Sequence, residues 1–411
     1  MDELVIKNIG MLATPLGSTA KPGGAQGEIL TLEDAWISID HGSVTGVGTG
    51  PAPVGASVYD AGGKLATPGL VDPHTHLVFG GWRENELGMK LHGVPYLDIL
   101  AAGGGILSTV SNTRSASQEE LVEKSLPILE RMLALGVTTC EAKSGYGLSL
   151  DGELKLLRAV QSLGELQPVE LVPTFMGAHA VPPEYKEDRK GYIDLIINGM
   201  LPAISDQNLA EFCDVFCETG AFTTDESREI LLAGKKAGMA LKCHSDEINP
   251  IGGTEMAAEI NAVSCEHLIK CSRSGIDAMA KSGVIACCLP GTSFYLDASY
   301  APAREMISAG IPVAFGSDFN PGSCPSHSLQ LAMNIGCFKY RMTPEESLTA
   351  VTLNAAAAIN RAGSVGSLEP GKQADIVIWN AQNLNYIFYR FGDNLVDAVF
   401  KKGSRRSVWQ S

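Results

Sequence analysis

"PGLVDPHTHLVFGGWREN", Pro68 to Asn85, sets a short apolar run before two histidines one residue apart, with an arginine seven residues after the second. If Gly69–Asp72 is a strand, His74 and His76 point to one side, because strand side chains repeat every two residues. Two imidazoles at a strand end can grip one metal ion. A His-x-His on a surface loop reads the same way locally, so the rest of the chain has to decide.

Seven further runs of strand character follow: "GVTTCEAK" (136–143), "VELVPTFMG" (169–177), "FCDVFCE" (212–218), "MALKCHSD" (239–246), "AVSCEHL" (262–268), "VIACCLPG" (284–291) and "PVAFGSD" (312–318). Helical patterns separate them. "SQEELVEKSLPILERMLALG" offers Ser117 as N-cap, early acids and apolar residues at helical spacing. "DGELKLLRAVQSLG", "TDESREILLAGKKAG" and "TPEESLTAVTLNAAAAIN" read alike. Eight strands alternating with helices predict an α/β fold, a (β/α)8 TIM-type barrel over residues 68–361. Residues 77–116, glycine-rich at "AAGGGI", form an insert expected to arch over the barrel mouth. Both ends of the chain read as short strands broken by Gly, Asp and Pro, with His41 in a surface hairpin turn, "DHGS". They predict a small composite β-sandwich domain from 1–67 plus 362–411.

In such a barrel the active site lies at the C-terminal ends of the strands. Polar residues collect there in barrel order: His74 and His76 on strand 1; Glu141, Lys143 and Tyr146 on strand 2; His179 after strand 3; Glu218 on strand 4; His244, Asp246 and Glu247 on strand 5; Glu266 and His267 on strand 6; Asp318 on strand 8. Three neutral imidazoles, His74, His76 and His244, with the carboxylate of Asp318 make a donor set suited to one zinc or iron ion. An ion there lowers the pKa of a bound water to about 7 and supplies hydroxide at neutral pH. Strand 4 holds no lysine to bridge a second ion, so one ion per chain is expected.

The net charge of −15 argues against a nucleic-acid footprint, and no apolar run is long enough to span a bilayer. The acidic start "MDELVIKNIG" lacks the basic and apolar regions of a signal peptide, which predicts a cytoplasmic protein. The ten cysteines form no CxxC pair and lie mostly in apolar runs, where reduced thiols act as small hydrophobes. A homodimer is the default assembly.

The motifs carry a resemblance. "PGLVDPHTHL", histidines on strands 5 and 6 and "GSD" on strand 8 resemble the amidohydrolase superfamily. "DPHTHLVFGGWRENE", "GGGILSTVSNTRSAS", "TTCEAKSGYGL", "PTFMGAHAVPPEY", "CDVFCETGAF", "KCHSDEINPIGG" and "GSDFNPGS" resemble, within it, the imidazolonepropionase family, from about Pro68 to Gly371. The resemblance implies hydrolytic opening of the ring of 4-imidazolone-5-propanoate to N-formimidoyl-L-glutamate, a step of histidine degradation. It implies His74, His76, His244 and Asp318 as metal ligands, with Asp318 also taking the water's proton. Arg83, Tyr96, Tyr146, His179, Glu247, Asn320, Gly322 and Ser323 are implied at the substrate. His267 and Glu247 join Asp318 as catalytic candidates, His267 stabilising an oxyanion or orienting the water.

Several residues have a second reading. Arg83 can pair with Glu84 or Glu86. Tyr146 can pack beside a glycine turn. His179 can orient a neighbour, and Lys143 with Glu141 can be a structural ion pair. No role is assigned to His92, and that of His327 stays open. Two rival functions share the fold: an amidohydrolase acting on another ring, and a barrel that has lost catalysis. The second is disfavoured because every ligand candidate is present.

Overall fold

The computed structural model describes residues 3–94 and 104–406. Its strands fall into two sheets. One contains β5 (Leu70–Asp72), β6 (Val137–Lys143), β7 (Glu170–Ala178), β8 (Phe212–Cys217), β9 (Ala240–Ser245), β10 (Ser264–His267), β11 (Ile285–Cys288) and β12 (Val313–Phe315), in sequence order. Each pairs in parallel with the next. These are the eight predicted runs. They are legible because a parallel strand is buried on both faces and so reads as an almost unbroken apolar stretch.

The ring closes where strand 1 meets strand 8. The Asp318 amide donates to the His74 carbonyl at 3.0 Å, and the His76 amide to the Phe319 carbonyl at 2.9 Å. Asp72 Oδ1 accepts from the Ser317 amide at 3.0 Å. Closure therefore passes through the first pair of predicted ligands and sets them beside Asp318.

Helices cover the outside. Gln118–Ala134 starts at Ser117, whose hydroxyl accepts from the Glu120 amide while the Glu120 carboxylate accepts from the Ser117 amide. The pattern predicted as one helix over 343–360 is two, Pro344–Ala350 and Leu353–Ala358. The break has a tertiary cause: the Val351 carbonyl accepts from the Val71 amide of β5 at 2.9 Å. The second helix then packs Leu353, Ala355 and Ala356 against Val71, Val172, Phe212, Ile285 and Ala314, which plugs the barrel beneath the site with apolar side chains.

The other sheet is built from both termini: β1 (Leu4–Pro15), β2 (Ile29–Asp40), β3 (Ser43–Thr49), β4 (Ser57–Pro68), β13 (Ile376–Trp379), β14 (Val396–Lys401) and β15 (Ser404–Arg406), in the order β15-β14-β13-β4-β1-β2-β3. β1 and β4 are parallel and the other pairs antiparallel. The seven strands form one hydrogen-bonded sheet. Register shifts in the β1 pairings mark the irregularities that let it bend, and it encloses its own core of Ile6, Ile37, Ile39, Val44, Ile376, Ile378 and Phe400. The β2–β3 turn is His41-Gly42, with φ of 47° and 81°, as a two-residue hairpin requires. One residue, Gly69, separates β4 from β5, so this sheet feeds directly into the strand that ends in His-x-His.

Part of the predicted insert is described. Its helix Leu87–Leu91 reaches the loop after β12, where Lys90 Nζ donates to the Gly322 carbonyl at 2.8 Å. Tyr96 lies outside the described residues.

Candidate metal and substrate site

At the C-terminal ends of the strands the predicted ligands converge. His74 Nε2 lies 3.3 Å from Asp318 Oδ1, and His76 Nε2 3.7 Å from the same oxygen. His244 Nε2 lies 3.4 Å from His76 Nε2. All four side chains are buried. Among the described residues, His74 Nε2 and Asp318 Oδ1 are buried and make no hydrogen bond. Polar atoms buried without partners are rare unless an ion or water completes them. Three imidazole nitrogens and one carboxylate oxygen around one point fit a zinc or iron ion. The other Asp318 oxygen, Oδ2, accepts from the Thr292 hydroxyl, which fixes the carboxylate with Oδ1 toward the histidines.

Backbone conformation aids this display. Asp318 and His267 adopt φ of 52° and 69°, a left-handed turn at the strand end that re-aims the side chain. His267 packs against two of the three ligand rings, with centroids 5.5 Å from His74 and 5.2 Å from His244. It also falls in a possible ligand trio with them. Its Nε2 stands 3.7 Å from Glu247 Oε2. Burial pushes the His267 imidazole down to about 3, so it is neutral at physiological pH. Burial, then the charges of Asp318 and Glu218, raises the Glu247 carboxyl to about 8.

His179 and Tyr146 form one wall. The His179 ring stacks on His76 with centroids 5.0 Å apart and an interplanar angle of 18°. Its Nδ1 lies 3.1 Å from the Gly145 carbonyl oxygen. Tyr146 is buried, 5.3 Å from His179 and 5.8 Å from His76 by ring centroid.

Arg83 makes the predicted alternative pair. Its Nε and Nη2 donate to the two oxygens of Glu86, each at 2.9 Å. Glu86 also accepts from the Gly105 amide at 2.7 Å. Nη1 faces the Gly322 Cα, where an added Cβ would lie 2.2 Å away. The guanidinium is thus pinned on one edge, and among the described residues no hydrogen bond from Nη1 occupies the other. Asn320 organises the loop after Asp318: Oδ1 accepts from the amides of Gly322 and Ser323 at 2.8 and 2.7 Å, and Nδ2 donates to the Asp318 carbonyl at 2.8 Å. Its side chain builds the loop that carries Gly322 and Ser323.

Glu218 does not join the ligands. It accepts from the Ile248 and Asn249 amides at 2.9 and 3.1 Å and ties the loops after β8 and β9 together. The inward carboxylate of β8 is Asp214, whose Oδ2 lies 2.9 Å from His244 Nδ1. Sequence reasoning passed over it, although a lone acid inside "FCDVFC" was the signal. Asp246 turns away and accepts from the Thr254 hydroxyl at 2.7 Å. His327 meets the Phe319 ring edge, 5.9 Å between centroids, and feels the charge of Arg131, away from the ligands.

A family model described as "Amidohydrolase family" matches residues 65–406. A protein named imidazolonepropionase from Alkaliphilus metalliredigens is 53% identical, over 98% of this chain and 97% of its own. The chain belongs to the amidohydrolase family, in its imidazolonepropionase branch. A second imidazolonepropionase, from Fusobacterium nucleatum, is 52% identical over 98% of each chain. This amidohydrolase also shares its fold with solved structures of low identity. A triazine hydrolase variant gives a TM-score of 0.74 at 17% identity over 98% of this chain and 94% of the other. An adenosine deaminase from Xanthomonas campestris with bound zinc gives 0.69 at 17%, over 98% and 92%.

Proposed function

We propose that this chain is a metal-dependent hydrolase that opens the ring of 4-imidazolone-5-propanoate to N-formimidoyl-L-glutamate. The observation that carries the reading is identity of about half, over nearly the full length, to proteins named imidazolonepropionase. Water adds to the ring carbonyl carbon, the bond from that carbon to the ring nitrogen breaks, and the nitrogen leaves with a proton as part of the formimidoyl group.

A zinc or iron ion held by His74, His76, His244 and Asp318 would supply Lewis acidity and an acidified water. The side chains do the rest. Asp318, its carboxylate held in place by Thr292, takes a proton and delivers it to the leaving nitrogen. His267, neutral and packed against two ligand rings, steadies the negative charge developing on the carbonyl oxygen. Glu247 and His179 present polar atoms to the ring, and Tyr146 lines its wall. The free edge of Arg83 takes the propionate in a two-pronged contact, with the Gly322–Ser323 loop beside it.

The histidine-degrading role, a cytoplasmic site of action and assembly as a homodimer belong to the same proposal. No helix of the described residues is long and apolar enough to cross a membrane. The test is turnover by the purified, metal-loaded protein of imidazolonepropanoate against guanine and hydantoin. Conversion of the first alone supports the reading; preference for either other ring overturns it in favour of a different ring amidohydrolase.

A further inference from the structure

Beneath the ligand cluster the barrel holds charge where barrels of this kind normally hold layers of Val, Ile and Leu. Glu141, Lys143, Asp214, Lys242 and Glu266 rise from β6, β8, β9 and β10, and each is fully buried. Lys143 Nζ lies 2.9 Å from Glu141 Oε2, 2.7 Å from Asp214 Oδ2 and 2.9 Å from Glu266 Oε2. Lys242 Nζ lies 2.9 Å from Glu141 Oε1 and 2.8 Å from Glu266 Oε1. Thr174 adds a hydroxyl to Glu141 Oε1 at 2.5 Å, and Ser264 one to Glu266 Oε1 at 3.1 Å. A hydrophobic core of similar volume would be at least as stable, since burying charge costs several kcal/mol per ion. The network needs another reason to exist.

Its upper edge gives one. Glu266 Oε2 contacts His74 Nδ1, and Asp214 Oδ2 contacts His244 Nδ1. A neutral imidazole has one N–H and one lone pair. These are contacts at ion-pair distance without hydrogen-bond alignment, and a carboxylate beside Nδ1 favours the proton there, leaving the lone pair on Nε2, the atom turned toward Asp318 and His76. Lys143 joins the two carboxylates directly. Lys242 joins Glu266 and also donates to the Pro73 carbonyl at 2.9 Å, fixing the peptide next to His74. Asp214, His244 and Glu266 could themselves cradle a cation, but the Lys143 ammonium already stands against both of those carboxylates.

We propose that Lys143, with Lys242, acts as a positioning residue for metal binding: through Asp214 and Glu266 it holds His244 and His74 in one tautomer and one orientation. The proposal rests on the reading of His74 and His244 as ligands. It makes the two histidines a coupled pair, because one ammonium braces both carboxylates.

The test uses the whole protein with Zn2+ as probe, in competition with a coloured chelator, and two-dimensional 15N spectra of labelled histidine. Glu266→Gln and Asp214→Asn should each weaken Zn2+ binding about 10- to 100-fold, as loss of a histidine's outer partner typically does. Lys143→Met should weaken it comparably although the lysine touches no proposed ligand nitrogen. Lys143→Met with Glu266→Gln should cost less than the product of the single effects. The protonated Nδ1 signals of His74 and His244 should be present in the zinc-loaded wild type and weakened or exchange-broadened in each variant. If Lys143→Met does not fold, the near-isosteric Glu266→Gln and Asp214→Asn carry the test through the same two readouts. Wild-type Zn2+ affinity with unchanged Nδ1 signals in those variants overturns the proposal. A wild type that binds no Zn2+ overturns instead the metal reading on which it stands, and the two failures are distinct.

Discussion

Gly322 is the position at which a single methyl group should report on substrate recognition. Its φ lies outside the left-handed region, so alanine brings no backbone strain there. The added Cβ would fall 2.2 Å from Arg83 Nη1, against about 3.4 Å for ordinary contact, so the nitrogen must retreat by about 1.2 Å. Arg83 cannot swing away freely, because its other edge is locked to Glu86 by two 2.9 Å bonds and the pair is almost wholly buried. A shift of about 1 Å in a positioning group can cost about 10²-fold. Gly322→Ala should therefore lower kcat/KM for imidazolonepropanoate by about 10²-fold, mainly through KM. The assay is steady-state turnover on the acid and on an analogue without the carboxylate, with thermal unfolding as a folding control. The loss should vanish on the neutral analogue. A folded variant with wild-type KM for the acid refutes the clamp, and so does an equal loss on both substrates.

Other expectations follow from the same geometry. Chelation should abolish turnover, and His74→Ala or His244→Ala should remove metal and activity together; metal analysis finding two tightly held ions per chain would count against the single site. Asp318→Asn should abolish turnover. His267→Ala should keep the metal and lose about 10²–10³ in kcat; loss of the metal would make it a ligand, in keeping with its place beside His74 and His244. Away from the site, Arg189 donates to both oxygens of Glu226 and holds its carboxyl down at about 2, below the ordinary value near 4.3. A depressed carboxyl stabilises the fold above its unfolded pKa and loses that as pH falls through the folded value. The stability advantage of wild type over Glu226→Gln, at most about 1 kcal/mol for so exposed a pair, should shrink from pH 4.5 toward pH 2 in urea titrations. A constant gap would show that the charge contributes nothing.

The barrel was legible because its signals are local. Eight apolar runs, capping serines and threonines, and polar residues at run ends all sit within a few positions of one another. What escaped the sequence is nonlocal. The 343–360 helix breaks for a hydrogen bond to a strand far away in the chain. Glu218 reads as the acid of its strand and Asp214 is passed over; the two share a face by parity, but Glu218 lies just past the strand end in the loop, while Asp214 lies within the strand against His244 Nδ1. Two of the ionic partners of Lys143, Asp214 and Glu266, come from other strands, and only the curl of the sheet brings them to it. Arg83 shows the limit from the other side: its charge was readable, but its commitment to Glu86 depends on how the insert folds back. The two-part division at 67/68 and 361/362 remains our proposal, since Ala13, Leu65, Val377 and Trp379 of the terminal sheet share a core with the barrel.

The position of β4 also bears on how the protein is made. It is flanked by β1, which precedes the barrel in the chain, and by β13, which follows it. During synthesis β4 has one neighbour, and its other edge stays open while the whole barrel emerges. An open strand edge invites pairing with another chain. The nascent protein therefore carries an open strand edge immediately upstream of the strand that ends in His74 and His76. Translation has to pass β13 before that edge is sealed, so a chain that stops between the barrel and β13 should yield an insoluble product rather than a weaker enzyme.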